Sequence, residues 1–328
     1  MEEFFNLATI NLLSPPVLFF VLGFGGAMLG SNLTLPEAVA KTLSIYLMLA
    51  IGFKGGAAAA AYGLGTNLIL ALVGGAILSA IIPVIAYALL GQMAKLPVAD
   101  RAAVSAHYGS ISIVTFVAAT AAMKSVGLEY EGFLVAVAAI METPAILVAL
   151  YIAGKATQHD SSKKTEQKEL MSEVFLNSSI VVLTGAFVIG AITGESGMKD
   201  IEGFITVPFK GVLCLFLLDM GAVAGRGVKN GWQGMSGGLI GFALVMPYIS
   251  AALAIPFGLI AGLSTGGLAV LMTLAASASY IAVPAAMRLA LPEARPSIYL
   301  TLSLGITFPM NLTIGIPIYS EIAKLVLG

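Results

Sequence analysis

Long apolar runs separated by short polar breaks make up nearly the whole chain, and that pattern leaves few folds open to it. Runs near the length needed to cross a hydrocarbon core as a helix, about 20 residues, occupy 14–30, 36–53, 66–94, 102–123, 131–154, 174–193, 203–224, 235–262, 266–290 and 296–326. Prolines enter the first two, in Ser14-Pro15-Pro16 and at Pro36, where the first helical turn tolerates a missing N–H. Only 10% of the 328 residues are charged and the mean hydropathy is +0.99, against about 25% charged in soluble domains. The expectation is an all-α integral membrane protein with ten transmembrane helices.

One segment is hydrophilic throughout. Residues 155–173 hold Lys155, His159, Asp160, Lys163, Lys164, Glu166, Lys168, Glu169 and Glu173, and they divide the chain into 1–154 and 174–328. The halves resemble each other: Ala121-Ala122-Met123-Lys124 and Ala285-Ala286-Met287-Arg288 lie at an offset of 164, which also relates Leu128-Glu129 to Pro292-Glu293. Each half also has a proline deep in its fifth span, Pro144 and Pro309, and a Ser/Gly-rich centre in its fourth. Five spans is an odd number, so two such repeats run through a membrane in opposite directions. Inverted repeats with interrupted helices at corresponding positions are a transporter architecture. Eleven Lys/Arg, among them Lys41, Lys95, Arg101, Arg226 and Arg295, fall in the loops of one face, and four, Lys54, Lys124, Lys199 and Lys324, in those of the other. By the positive-inside rule, both termini are expected outside and 155–173 in the cytoplasm.

Several functions are disfavoured. The net charge of −1 comes with no basic patch and interleaved aromatics of the kind nucleic-acid binding uses. Cys214 is the single cysteine, so no internal disulfide forms, and His107 and His159 are far apart with no metal-spaced partners. No Gly-x-Gly-x-x-Gly fingerprint or phosphate-binding loop occurs, and Met-Glu-Glu at the start lacks a basic signal-peptide region.

Polar residues at mid-span carry the functional argument. The fourth run has His107, Gly109, Ser110, Ser112 and Thr115 at its centre, and the ninth reads Ala-Ala-Ser-Ala-Ser-Tyr-Ile-Ala-Val-Pro over 275–284. Hydroxyls beside a helix breaker predict an interruption near Gly109 and another near Ser277–Pro284. A restarted helix presents free N–H groups and a partial positive charge, which favour an anion without any buried Arg or Lys. The candidate anion-binding residues are Gly109, Ser110, Ile111, Ser112, Thr115, Ser277, Ala278 and Ser279. Tyr280 beside them reads more naturally as a packing residue with a bonded hydroxyl, and His107 as a donor to a carbonyl one turn away. Gly25-Gly26, Gly74-Gly75 and Gly237-Gly238 read as close-packing positions.

Glu142 lies in the fifth run with ten uncharged residues on either side, and an acid there costs about 2.5–3.5 kcal/mol on insertion scales. It is the candidate charge of a sodium or proton coupling site, or else a protonated acid bonded to a neighbouring helix. Ser112, Asn311 and Asp219 are the further candidate oxygens for sodium. Asp219 could instead pair with Arg226, and Asn311 could serve as interhelical glue. A sodium-coupled transporter of another small carboxylate and a cation/proton antiporter of similar architecture both remain open on these residues. An intramembrane enzyme is disfavoured because no Gly-x-Gly-Asp motif accompanies the acids, and a passive channel because no filter sequence is visible.

The sequence resembles the sodium-dependent bicarbonate transporter family, best known from cyanobacterial carbon-concentrating systems. The matching stretches are Gly30-Ser31-Asn32-Leu33-Thr34-Leu35-Pro36, Ile51-Gly52-Phe53-Lys54-Gly55-Gly56, Gly109-Ser110-Ile111-Ser112, Gly127-Leu128-Glu129-Tyr130-Glu131, Pro144-Ala145, Ala276-Ser277-Ala278-Ser279 and Gly315-Ile316-Pro317-Ile318-Tyr319. The resemblance implies a five-plus-five inverted fold with crossed, discontinuous fourth and ninth helices. It also implies an elevator-like movement of a core domain against a gate domain, a homotrimer in a bacterial inner membrane, and sodium-coupled uptake of bicarbonate with no cofactor beyond the ion. A PII-like regulatory protein at the cytoplasmic face is a further implied partner. The chain departs from the cyanobacterial pattern in having Tyr280 and Val283-Pro284-Ala285 in place of an aspartate and a Gly-Pro-Pro. Glu142 likewise stands where aspartate is usual, and Asn311 where the family has an apolar residue.

Overall fold

The computed structural model describes residues 13–33, 35–62, 65–156, 178–231, 235–280, 283–284, 286–287 and 291–328. Every regular element among them is helical. In chain order these are α1 Pro15–Met28, α2 Glu37–Tyr62, α3 Thr66–Met93, α4 Val98–Gly109, α5 Ile113–Ser125, α6 Leu134–Ile140, α7 Thr143–Ala156, α8 Ser178–Asp200, α9 Glu202–Ile205, α10 Phe209–Gly231, α11 Gly237–Ile260, α12 Thr265–Ala276 and α13 Pro296–Leu327. Apart from its first residues, the hydrophilic segment 155–173 lies outside the described residues.

Among the described residues seven helical segments, rather than ten, are long and apolar enough to cross a membrane. The shortfall has local causes. At 14 and 12 residues, α1 and α12 are apolar but short, and α12 is the first part of an interrupted run. Helix α8 bends at Gly194, whose φ of 60° lies in the left-handed region, and then carries Glu195, Lys199 and Asp200. Helix α2, in turn, runs past the expected limit of 53, because the alanine tract after Gly55-Gly56 continues it to Tyr62. Large apolar side chains such as Leu22, Ile69, Val73, Ile189 and Ile192 stand exposed on α1, α3 and α8, as lipid-facing surfaces require. The segment Val98–Ser125 is different, since 94% of its most apolar window is buried inside the protein. It is an interior element.

Helix pairing is reciprocal between the halves. Helix α1 packs along α10, and α2 packs along α8. Gly23 of α1 lies against the Leu218 carbonyl, and Gly221 of α10 against the Phe20 carbonyl. The second pair repeats this, with Gly56 of α2 against the Phe187 carbonyl and Gly190 of α8 against the Phe53 carbonyl. Lipid tails are as apolar as leucine, so close backbone packing supplies association that hydrophobicity cannot. Among the glycine pairs singled out by sequence, Gly74, Gly75 and Gly238 are indeed tight, against Phe257, Val137 and the Met93 carbonyl. Gly25, by contrast, has nothing within 4 Å of where a Cβ would stand. In a run this rich in glycine, composition does not show which one faces the neighbour.

A second reciprocal feature ties the interior helices at their ends. Asp100, in the first turn of α4 and only 2% exposed, accepts from the Arg295 backbone N–H at 2.7 Å, from its Nε at 2.8 Å and from its Nη2 at 2.6 Å. Arg295 begins α13. Elsewhere, Glu131 Oε1 accepts from the Ser264 N–H at 2.7 Å, while Ser264 Oγ donates to the Glu129 carbonyl and caps α12 through Gly267 N. Asp100 and Ser264, and Glu131 and Arg295, are again 164 apart. The acid and the N–H it holds have changed places between the halves.

Gly190→Ala drives a methyl into the Phe53 carbonyl and is expected to lower the unfolding midpoint in detergent, by an amount matching about 1–3 kcal/mol of overpacking. Gly25→Ala meets open space and should leave the midpoint unchanged or slightly raised, as the helix propensities of the two residues dictate. Thermal unfolding of the two variants beside the parent checks the contrast.

Candidate functional site

Helix α4 ends at Gly109 and α5 begins at Ile113, with Ser110 and Ser112 both extended. Glycine is required at 109 for space: a Cβ there would come within 2.8 Å of Ala145 Cβ and closer still to the ring of Pro83. Ser112 restarts the helix, its Oγ accepting from Thr115 N at 3.2 Å. Helix α12 ends in the same way at Ala276, with Ser277 extended. Residues 283–284 and 286–287 are helical again, while 281–282, 285 and 288–290 lie outside the described residues.

The two interruptions are bonded to each other. Ser112 N donates to Ser277 Oγ at 2.9 Å, and Ser279 N donates to the His107 carbonyl at 2.7 Å. Ser277 Oγ itself donates to Leu274 O at 2.7 Å. The Ala276 carbonyl accepts from Asn311 Nδ2 at 2.8 Å, and Asn311 Oδ1 accepts from the Tyr319 hydroxyl at 2.9 Å. Unwound backbone in a low-dielectric interior is stable only when its polar groups find such partners. Gly109, Ser110, Ile111, Ser112 and Thr115 are thereby joined to Ser277, Ala278, Ser279 and Tyr280, all of them buried.

A third interruption lies beside the first. Between α6 and α7 the helix opens at Met141–Glu142, and Ser79 of α3 closes the gap by donating to the Met141 carbonyl at 2.6 Å and accepting from Ala145 N at 3.2 Å. Pro83, four residues on in α3, has no N–H to offer the Ser79 carbonyl, and its ring packs on Gly109. Helix α13 departs from regular geometry in the equivalent place, with π-helical turns over Thr301–Thr307 and Asn311–Gly315 on either side of Pro309. Such turns often occur at functional sites.

What these interruptions leave open is informative. Ser110 Oγ, Thr115 Oγ1, the Tyr280 hydroxyl, His107 Nε2 and Glu142 Oε2 are buried without a hydrogen-bond partner. Each such group costs about 1–3 kcal/mol unless something binds it. Glu142 is 4% exposed and lies three residues before Ala145, whose Cβ packs on Gly109. The Tyr280 ring packs edge-on against Phe308 at 5.2 Å, and its hydroxyl lies beside Ser112 without reaching hydrogen-bond geometry. His107 donates from Nδ1 to Ala103 O at 2.6 Å and stacks on Tyr299, which leaves Nε2 an acceptor. Hydroxyls and helix-start N–H groups suit a small anion, and a carboxylate with nearby hydroxyl and carbonyl oxygens suits a hard cation. Among the described residues no group of three or more His, Cys, Asp or Glu could hold a metal ion.

Two sequence candidates sit differently from the rest. Asn311 reaches the crossing through its bond to Ala276, so its amide supports the site's backbone. Asp219 stands on α10 and accepts from Leu35 N at 3.1 Å, while Arg226 on the same helix donates to Leu33 O at 3.0 Å. Both brace the connection between α1 and α2, and among the described residues no hydrogen bond links Asp219 to the crossing. Ser79 and Pro83 carry no sequence expectation, and Tyr319 enters only through the family resemblance. The one available signal was a serine four residues before a proline inside an otherwise apolar run.

Ser79→Ala strands the Met141 carbonyl and the Ala145 N–H together, and a loss of about 1–3 kcal/mol is expected. Ser105→Ala is the matched control, because Ser105 Oγ donates only to the Arg101 carbonyl of its own helix. Denaturation of the two variants in detergent should separate them clearly.

Comparison with known proteins adds the family. No curated protein matches the chain. A family model, described as the Na+-dependent bicarbonate transporter superfamily, matches residues 15–324. That match covers almost the full length, including all three interruptions and both reciprocal glycine pairs, and the chain accordingly belongs to the Na+-dependent bicarbonate transporter superfamily.

Proposed function

We propose that the protein is a secondary active symporter that carries bicarbonate into the cell, driven by sodium. The observation that carries this reading is the pair of mutually bonded helix interruptions, with unpartnered hydroxyls at Ser110, Thr115 and Tyr280 and, in the third interruption, an unpartnered Glu142 Oε2. In this proposal bicarbonate binds between the interruptions, on the N–H groups that open α5 and on the hydroxyls of Ser110, Ser112, Thr115, Ser277 and Ser279. Sodium binds next to it at Glu142 and neighbouring oxygens, with Asn311 holding the α12 end in place. Each ion offsets the charge of the other, so each raises the other's affinity by the same factor.

The wider architecture belongs to the same proposal. We read the chain as ten spans in two inverted repeats, 1–154 and 174–328, with crossed discontinuous helices and a cytoplasmic 155–173 linker. Support comes from the exchanged glycine contacts and the exchanged acid-to-N–H bonds described above. An elevator motion follows naturally if α1, α2, α8 and α10 form the static gate and the interrupted helices move as the core. Homotrimer assembly, an inner-membrane location with both termini outside, and a PII-like regulator are inferences from family membership.

Purified protein in vesicles should take up labelled bicarbonate when sodium is higher outside, and collapse of a pH gradient should leave that uptake in place. Glu142→Gln is expected to abolish sodium-dependent uptake without changing assembly on size exclusion. Normal sodium-driven uptake by this variant would overturn the coupling role of Glu142. Sodium efflux driven by protons, with no anion uptake by the parent, would favour an antiporter.

A further inference from the structure

A cavity of 270 Å³ lies between α2, α5, the segment leading into α6 and the start of α10. On α5 its wall begins at Phe116, directly after Thr115, and ends at Lys124 in the last turn. The eight helical steps from Phe116 to Lys124 make that wall about 12 Å long, so the cavity reaches from the helix end towards the crossing.

Two cations face this space. Lys54 Nζ lies over the Phe209 ring at 4.5 Å from its centroid, and Lys124 Nζ over the Tyr130 ring at 5.7 Å. Among the described residues neither ammonium has a carboxylate within ion-pair distance. Of the acids next in sequence to Lys124, Glu129 makes no ion pair with either lysine among the described residues, and Glu131 is committed through Oε1 to Ser264 N. The aromatic faces hold the ammonium groups in place without neutralising them, and the two are near enough to repel each other. A half-buried lysine inside an apolar helix is costly unless it meets an opposite charge. An anion between Lys54 and Lys124 would neutralise part of both charges at once.

We propose that Lys54 and Lys124 form a capture site for a small oxyanion at the mouth of a passage along α5 to the helix crossing. The site raises the local anion concentration before the anion is handed to the hydroxyls and N–H groups of the crossing, which bear no positive side chain. It rests on the anion-transport reading above and adds a separate station to it. Both lysines belong to the face with fewer Lys/Arg, so the anion is drawn from outside the cell. The same chemistry would hold a lipid phosphate, and the test excludes that source by using vesicles without anionic lipid.

The test compares the parent with Lys54→Met, Lys124→Met, the double variant, and Lys54→Arg with Lys124→Arg. In sodium-driven uptake of labelled bicarbonate, the double Met variant should show KM raised about tenfold with uptake at saturation within about twofold of the parent. The Arg pair should stay near the parent. Raising ionic strength with gluconate should raise the parent's KM and leave the double Met variant flat. A second arm needs no transport: a membrane-impermeant amine reagent, mapped by mass spectrometry, should modify Lys54 and Lys124 more slowly in sodium bicarbonate than in sodium gluconate. Equal KM for the parent and the double Met variant, or equal labelling in both salts, overturns the site even if transport is normal. Protection of both lysines with no bicarbonate uptake by the parent would instead uphold the site and overturn the transport reading.

Discussion

Two hydrogen bonds between interrupted helices, Ser112 N to Ser277 Oγ and Ser279 N to the His107 carbonyl, are what the rest of the interior depends on. Extended backbone deep in a membrane protein needs partners for its polar groups, and each interruption supplies them to the other. Neither break is stable alone. The surroundings follow from this need: Gly109 makes room for Pro83 and Ala145, Asn311 caps Ala276, and Ser79 closes the neighbouring gap at Met141. Most backbone groups near the crossing are satisfied, while the side-chain hydroxyls of Ser110, Thr115 and Tyr280 are left over. That division is what a binding site requires, because the backbone stays fixed while the spare oxygens meet a ligand.

The same physics separates the frame from the interior. Helices α1, α2, α8 and α10 associate through glycines pressed on carbonyls, a contact made from backbone and dispersion alone. The interrupted helices carry the unpartnered hydroxyls of Ser110, Thr115 and Tyr280, Glu142 and the irregular turns. Close packing of backbone on backbone leaves little room between these helices, whereas the interrupted helices meet through a few hydrogen bonds. Tight backbone contact and broken helical geometry therefore fall on different helices.

Much of this was legible in the residues. The apolar runs disclosed the helical membrane class, and Gly109 to Ser112 disclosed the first interruption, because hydroxyls beside glycine at mid-span have no purpose against lipid. The offset of 164 pointed to a repeat, and the same spacing relates Asp100 to Ser264 and Glu131 to Arg295. What stayed hidden depended on which face of a helix meets a neighbour. Gly23 and Gly25 are indistinguishable in composition, yet one touches Leu218 and the other touches nothing. Ser79 acts through long-range bonds to Met141 and Ala145, and no local pattern marks a bond across more than 60 residues. Asp219 reads as an intramembrane acid and is buried within an apolar span, but its bond to Leu35 N, 184 residues away, had no local signal.

The exchanged end contacts have an unequal consequence. Asp100 is buried and meets a whole guanidinium, whereas Glu131 meets a neutral N–H and a serine cap. The two reciprocal contacts are thus closed by different chemistry, an ion pair at one end and a neutral donor at the other. Screening by salt weakens the first and leaves the second alone, so the two ends of the interior answer differently to the same change of solvent.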